Sequence, residues 1–91
     1  MREINYNSLA EFLKTGREIE FAYNQKNYSI TNHSGFWYLC CDTDDTLLDT
    51  VCRFEEKDVL VSKIATTIIE GKTIAQIFDE LLYDPSSIDI I

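Results

Sequence analysis

The chain has 91 residues, of which 45% are apolar, and it carries a net charge of −8 at pH 7. This composition indicates one globular domain with a modest core and excludes an intrinsically disordered chain. The negative charge argues against direct binding to nucleic acid or membrane headgroups. No apolar run approaches the ~20 residues of a membrane span. Residues 1–5 show no hydrophobic signal segment, so we expect a cytoplasmic protein.

The first half of the chain predicts a helix followed by a three-stranded meander. Residues 8–11 (Ser-Leu-Ala-Glu) have the pattern of a capping box, and Gly16 stands where a left-handed C-cap is expected. We therefore predict a helix over residues 8–15. Alternating polar and apolar residues, separated by turns of about four residues, then predict three antiparallel strands in residues 18–23, 28–31 and 36–41.

The third predicted strand is apolar on both faces. One face carries Trp37, Leu39 and Cys41, and the other carries Phe36, Tyr38 and Cys40. Two arrangements fit this pattern. Either helices cover both faces, or the face of Phe36 and Tyr38 is an aromatic surface exposed to solvent or to a partner.

The second half predicts two helices. Residues 46–53 fit both a helix, through the spacing of their apolar residues, and a strand, through Thr46, Thr50 and Val51. Residues 55–66 predict a helix whose inward-facing side chains are Leu60, Val61, Ile64 and, just beyond it, Ile68.

A second capping-box pattern, from Thr73 to Gln76, opens the strongest helical stripe of the chain. The stripe consists of Ile74, Ile77, Phe78, Leu81 and Leu82. Asp84 and Pro85 are expected to end this helix, and residues 87–91 alternate like a short strand. The fold predicted for residues 1–91 is a single two-layer α+β domain, with a three- to four-stranded antiparallel meander and helices mainly on one face.

Residues 17–23, 28–32, 37–39 and 71–80 together resemble short, acidic, uncharacterised proteins of Gram-positive bacteria, their phages and mobile elements. The similar residues are those of strands, turns and caps, so the resemblance transfers no functional residue. It implies an origin in which small acidic proteins often inhibit a host defence enzyme, as many anti-CRISPR proteins do.

No residue pattern predicts a metal, a cofactor or catalysis. The odd set Cys40, Cys41 and Cys52 lacks the spacing of a disulfide framework or a zinc site, so we expect reduced structural thiols. The acidic loop that starts at Asp42 has Leu47 and Arg53 where a calcium-binding EF-hand needs Gly and Glu.

A nucleophilic Cys–His pair is not expected either. The only histidine, His33, lies in a predicted turn at the far end of the hairpin from Cys40, whereas such a pair requires hydrogen-bond contact. We therefore expect a non-enzymatic protein.

All of the net charge lies in the second half. Residues 1–41 carry four acids and four bases, whereas residues 42–91 carry twelve acids and four bases.

The acids are interpreted either as a solvated face or as a docking surface. In the second interpretation the partner is a protein with a basic surface, such as a nucleic-acid-handling nuclease complex, and the chain inhibits it. The residues expected to bind that partner are Asp42, Asp44, Asp45, Asp49, Glu55, Glu56, Asp58, Asp79, Glu80, Asp84, Phe36 and Tyr38. The alternative function is a small cytosolic accessory domain that is acidic only for solubility.

Overall fold

The computed structural model describes residues 3–91. Met1 and Arg2, which belong to the N-terminal stretch without a predicted signal segment, lie outside the described residues. The helices are α1 (Tyr6–Lys14), α2 (Lys57–Thr66), α3 (Ile74–Asp79) and a 3₁₀ helix (Pro85–Ser87). The strands are β1 (Ile19–Tyr23), β2 (Lys26–His33), β3 (Phe36–Cys41), β4 (Thr46–Arg53), β5 (Ile68–Ile69), β6 (Lys72–Thr73) and β7 (Asp89–Ile90).

Five of the strands form one antiparallel sheet in the order β4-β3-β2-β1-β7. The first two hairpins have two-residue turns, shorter than the four residues expected. Asn24 and Gln25 have φ values of 51° and 66°, and Ser34 and Gly35 have 51° and 86°. Two consecutive positive φ values define a type I′ turn, whose twist matches that of the flanking strands.

The undecided segment, residues 46–53, is strand β4. It pairs with β3 along its whole length, and the register shifts twice, between Trp37 and Tyr38 and between Leu39 and Cys40. Each shift leaves one extra residue on β4. These bulges explain why apolar residues of β4 recur at intervals that resemble a helix rather than alternating.

Helix α1 begins earlier than predicted. Its N-cap is Asn5, whose side chain accepts a hydrogen bond from the backbone N–H of Ser8 at 2.9 Å, so the capping box predicted at Ser8 is wrong. The C-cap prediction is confirmed. Gly16 has φ +87° and donates to the carbonyl of Leu13, while Arg17 donates to that of Phe12. These two bonds form a Schellman motif.

Helix α3 has the predicted capping box between Thr73 and Gln76 but ends at Asp79. A second Schellman motif closes it, and here Leu81 takes the left-handed conformation with φ +54°. Leu81 and Leu82 are consequently exposed, as is Ile68, so their predicted burial is wrong. The reversal at Leu81 carries Tyr83 into the core, where its ring stacks on Phe78 at 4.5 Å.

The three α-helices pack on one face of the sheet, which we call the covered face. The buried sheet residues on it are Ile19, Phe21, Tyr28, Ile30, Trp37, Leu39, Cys41 and Val51. They form one core with α1, α2 and α3, and Phe78 of α3 meets Phe21 edge-on at 5.0 Å. The two-layer α+β class is thereby confirmed. None of the helices in residues 3–91 has both the length and the apolar character needed to cross a membrane.

Candidate protein-binding surface

The sheet face opposite the helices, which we call the open face, carries the second set of β3 side chains. Burial alternates along β3, so that Trp37, Leu39 and Cys41 are buried while Phe36 is 39% exposed and Tyr38 and Cys40 are half-buried. Among residues 3–91, no α-helix packs on the side of Phe36 and Tyr38. The sequence allowed either helices on both faces of β3 or an aromatic surface at Phe36 and Tyr38, and the second arrangement is therefore correct.

The register extends this apolar surface onto β4. Phe36 lies opposite Arg53, Tyr38 opposite Thr50 and Cys40 opposite Leu47, and directly opposed residues share a face. Leu47 is 55% exposed. We define the apolar stripe as Phe36, Tyr38, Cys40 and Leu47. Sequence reasoning missed Leu47 because the structure of residues 46–53 was undecided.

Acidic residues flank the stripe near Cys40. Asp42 accepts a hydrogen bond from the Ser29 hydroxyl at 2.9 Å, and Ser29 lies opposite Cys40 on the open face. Burial, followed by the charges of Asp42 and Asp45, raises the pKa of the Cys40 thiol. Asp42 therefore lies beside the apolar stripe, and Asp45, whose N–H donates to the Asp42 carbonyl at 3.2 Å, lies in the same turn.

The open face also carries two acids that sequence reasoning did not nominate. Glu20 of β1 lies opposite Ser29 on one side and opposite Asp89 of β7 on the other. Both carboxylates are exposed. The signal for Glu20 was present in the alternation of β1, which places it on the face opposite Ile19 and Phe21.

The remaining predicted acids lie elsewhere. Asp44 turns away from the open face and pairs with Lys26 at 2.8 Å; this contact holds the pKa of Asp44 below its ordinary value and raises that of Lys26. Asp49 is half-buried opposite Leu39 of the covered face. Glu55, Glu56 and Asp58 follow β4 at the other end of the sheet, roughly 25 Å away along an eight-residue strand.

Three of these acids bind backbone N–H groups within the fold. The Asp79 carboxylate accepts a hydrogen bond at 2.8 Å from the N–H of Tyr6, the first residue of α1, where the helix dipole favours negative charge. Glu56 accepts from the N–H of Arg53 at 2.9 Å, and Asp84 caps the 3₁₀ helix by accepting from Ser86 at 3.0 Å. Glu80 is the C-cap residue of α3. The predicted acidic set is therefore divided among several sites.

The cysteines are all unpaired thiols, and Cys40 and Cys41 lie on opposite faces of β3. Burial and the nearby Glu56 raise the pKa of the Cys52 thiol, as burial does for Cys40. A raised thiol pKa lowers the thiolate fraction, and the thiolate is the nucleophilic form. The environments of Cys40 and Cys52 therefore favour the neutral thiol over the thiolate.

The residues that the sequence suggested for chemistry are not brought together. His33 lies opposite Phe36, whereas Cys40 lies opposite Ser29, which separates the two by roughly 13 Å along the strands. In the part of the chain that the structure describes, no three His, Cys, Asp or Glu side chains are grouped as metal ligands.

Comparison of the chain with protein-family models, with curated proteins and with solved structures finds no significant match.

Proposed function

We propose that this chain is a non-enzymatic binding protein whose open face docks on a basic surface of a nucleic-acid-handling protein and blocks it. The observation that supports the proposal is the apolar stripe bordered by Asp42 and Asp45. An aromatic anchor within a charged rim is the usual anatomy of a binding hot spot. The resemblance to proteins of phages and mobile elements favours an anti-defence role, of the anti-CRISPR type, in the cytoplasm.

The charge distribution supports a basic partner. Four acids border one end of the open face: Asp42 and Asp45 in the turn between β3 and β4, Glu20 on β1 and Asp89 on β7. Arg53 and His33 lie at the opposite end. A partner whose cations meet the acidic side would gain encounter rate from the field and affinity from burial of the stripe. Such a surface on the partner is one that otherwise binds phosphate, so the chain would act as a nucleic-acid mimic.

Capture from a bacterial extract at low and high salt tests the proposal. The bait is the wild-type chain, and the test variant is Phe36→Ser. Ile68→Ser is the matched control, because Ile68 is an exposed apolar residue outside the open face. We expect proteins that handle nucleic acid to bind the wild type and the control and to be lost with Phe36→Ser and at high salt. Each captured nuclease is then assayed with and without the chain.

Equal capture by all three baits would contradict the open face as the binding surface. Capture without any effect on nuclease activity would contradict inhibition. A gel-shift experiment adds a further requirement, because the chain itself should bind neither DNA nor RNA.

A second candidate is a small accessory domain without an inhibitory role. The observation that favours it is the structural use of Asp79, Glu56 and Asp84 as helix caps and turn acceptors, which accounts for part of the acidity without a partner. Absence of any salt-sensitive, Phe36-dependent partner would favour this function.

A further inference from the structure

A groove of about 690 Å³ runs between α1 and the edge strand β7, outside the proposed stripe. Its lining includes Ile4, Phe12, Arg17, Ile88, Asp89 and Ile90. Its volume lies within the ~300–1,000 Å³ of typical ligand sites. Ile4, Phe12, Ile88 and Ile90 are half-buried and pack against the core, so the apolar part of the groove is continuous with the interior.

The backbone of β7 presents hydrogen-bonding groups to this groove. Ile91 donates to the carbonyl of Glu18 at 2.8 Å, so residues 91 and 18 form a hydrogen-bonded pair of the antiparallel ladder. Such pairs alternate, and Ile90 opposite Ile19 is therefore a non-bonded pair. The N–H and C=O of Ile90 point away from β1, and the Arg17 guanidinium reaches that carbonyl at 3.3 Å.

The charges near the edge strand β7 indicate which kind of segment could add to it. Glu20 and Asp89 are directly opposed on the open face, and like charges in that position destabilise a sheet. A basic side chain on an added strand, next to Asp89, would relieve the repulsion. A second copy of this chain is a poor occupant, because each copy has a net charge of −8.

We infer that the groove takes an extended segment of another protein, which adds to β7 as an antiparallel strand with alternating basic and apolar residues. Its basic side chains face Asp89 and Glu20 on the open face. Its apolar side chains lie in the groove against Ile88 and Ile90, on the other side of the strand from the basic ones, next to the Arg17 guanidinium, which lies 5.6 Å from the Phe12 ring centroid. Main-chain bonds to Ile90 supply the register, as in other cases of strand addition to a sheet edge. The inference does not rest on the proposed function, since the groove could take a strand even if the apolar stripe bound nothing.

The probe is a short capped peptide of alternating lysine and valine, labelled for fluorescence anisotropy. We expect it to bind the wild-type chain, and a peptide with the same residues in two blocks to bind at least tenfold more weakly. Two backbone-methylated peptides give the sharpest comparison. A peptide residue directly opposite Ile90 has its side chain on the same face of the sheet as Ile90, so it is a valine, and its N–H points toward β7. N-methylation of the valines therefore removes the N–H groups that pair with β7. N-methylation of the lysines removes only N–H groups on the far edge of the peptide.

Three protein variants complete the test. Ile90→Pro removes the N–H that points away from β1 and leaves the hydrogen bonds between β7 and β1 in place, and Pro is tolerated at such edge positions. We expect the peptide to bind this variant about tenfold more weakly, because roughly one hydrogen bond and part of a side chain are lost. Asp89→Asn should weaken binding about threefold. Asp58→Asn, which makes the same charge change on α2, should have no effect.

Several outcomes would overturn the inference. They are equal binding of the alternating and block peptides, equal loss with both methylated peptides, and equal effects of Asp89→Asn and Asp58→Asn. A dimer of the chain alone, seen by sedimentation and dissociated by Ile90→Pro, would assign the edge to a second copy and would also overturn it. Phe36→Ser should bind the peptide like the wild type, which separates this test from that of the proposed function.

Discussion

Trp37 and Phe36 are neighbours in β3, but their side chains lie in opposite environments. Trp37 is fully buried, stacks on Phe54 at 5.6 Å and donates its indole N–H to the Phe54 carbonyl at 3.1 Å. Phe36 faces solvent beside Arg53. The covered face therefore holds the domain together, while the open face carries aromatic area that the fold itself does not use. That separation lets an interaction surface change without loss of the core.

The largest expected effect is on the covered face. Phe78→Ala should lower the free energy of unfolding by about 3–5 kcal/mol, because Phe78 is fully buried between Phe21 and Tyr83 and its removal leaves a cavity. Chemical denaturation measures this change. An unchanged midpoint with an unchanged slope would show that α3 does not stabilise the core as described.

The second effect separates a structural acid from a surface acid. Asp79→Asn should lower the free energy of unfolding by about 1 kcal/mol, because it weakens the charged contact to the first N–H of α1. Asp58→Asn is the matched control with the same change in charge. Because Asp58 lies in the first turn of α2, where the helix dipole also favours its charge, equal stabilities of the two variants in urea would mean that the hydrogen bond from Tyr6 to Asp79 adds nothing beyond the dipole.

The third prediction is a stabilisation. Leu81 holds a left-handed conformation at φ +54° with its side chain 44% exposed. Leu81→Gly should raise the free energy of unfolding by about 0.5–1 kcal/mol, since relief of backbone strain exceeds the added entropy of the unfolded chain. Thermal unfolding is the measurement. A destabilised variant would indicate that the Leu81 side chain contributes packing that outweighs the strain.

The fourth prediction concerns the open face. Phe36→Ala should change the free energy of unfolding by less than about 1 kcal/mol, because its side chain is already partly solvated. Chemical denaturation next to Phe78→Ala gives the direct contrast. A loss as large as that of Phe78→Ala would remove the distinction between the two faces.

The smallest effect is on the exposed pair of Lys26 and Asp44. The pKa of Asp44 lies below its ordinary 3.8, so the contribution of the carboxylate to stability is present above pH 3.8 and is lost as the pH falls through the lowered value. The raised pKa of Lys26 makes its contribution present below pH 10.5 and lost above its folded value. NMR titration of Asp44 should show its pKa rise in Lys26→Gln. An unchanged titration would exclude the pair in solution.

The sequence predicted more of the fold than of the site. Alternation correctly assigned the side chains of β3 to two faces, and the patterns at Gly16 and Thr73 correctly located a helix end and a helix start. The site prediction placed ten acids and two aromatics together. Of these, the structure associates Phe36, Tyr38, Asp42 and Asp45 with the open face, and it adds Leu47, Glu20 and Asp89.

The sequence by itself determined the alternation of β3, the end of α1 at Gly16 and the start of α3 at Thr73, because these features depend on residues close together along the chain. Only the tertiary structure decided that residues 46–53 form a strand, since pairing with β3 and two bulges overrides their local spacing. It also decided that α3 ends at Asp79, because burial of Tyr83 requires the reversal at Leu81. The use of Asp79 as a cap for Tyr6, 73 residues away, could not be read from neighbouring residues. Contacts between distant segments set these features, and no local pattern encodes which segments meet.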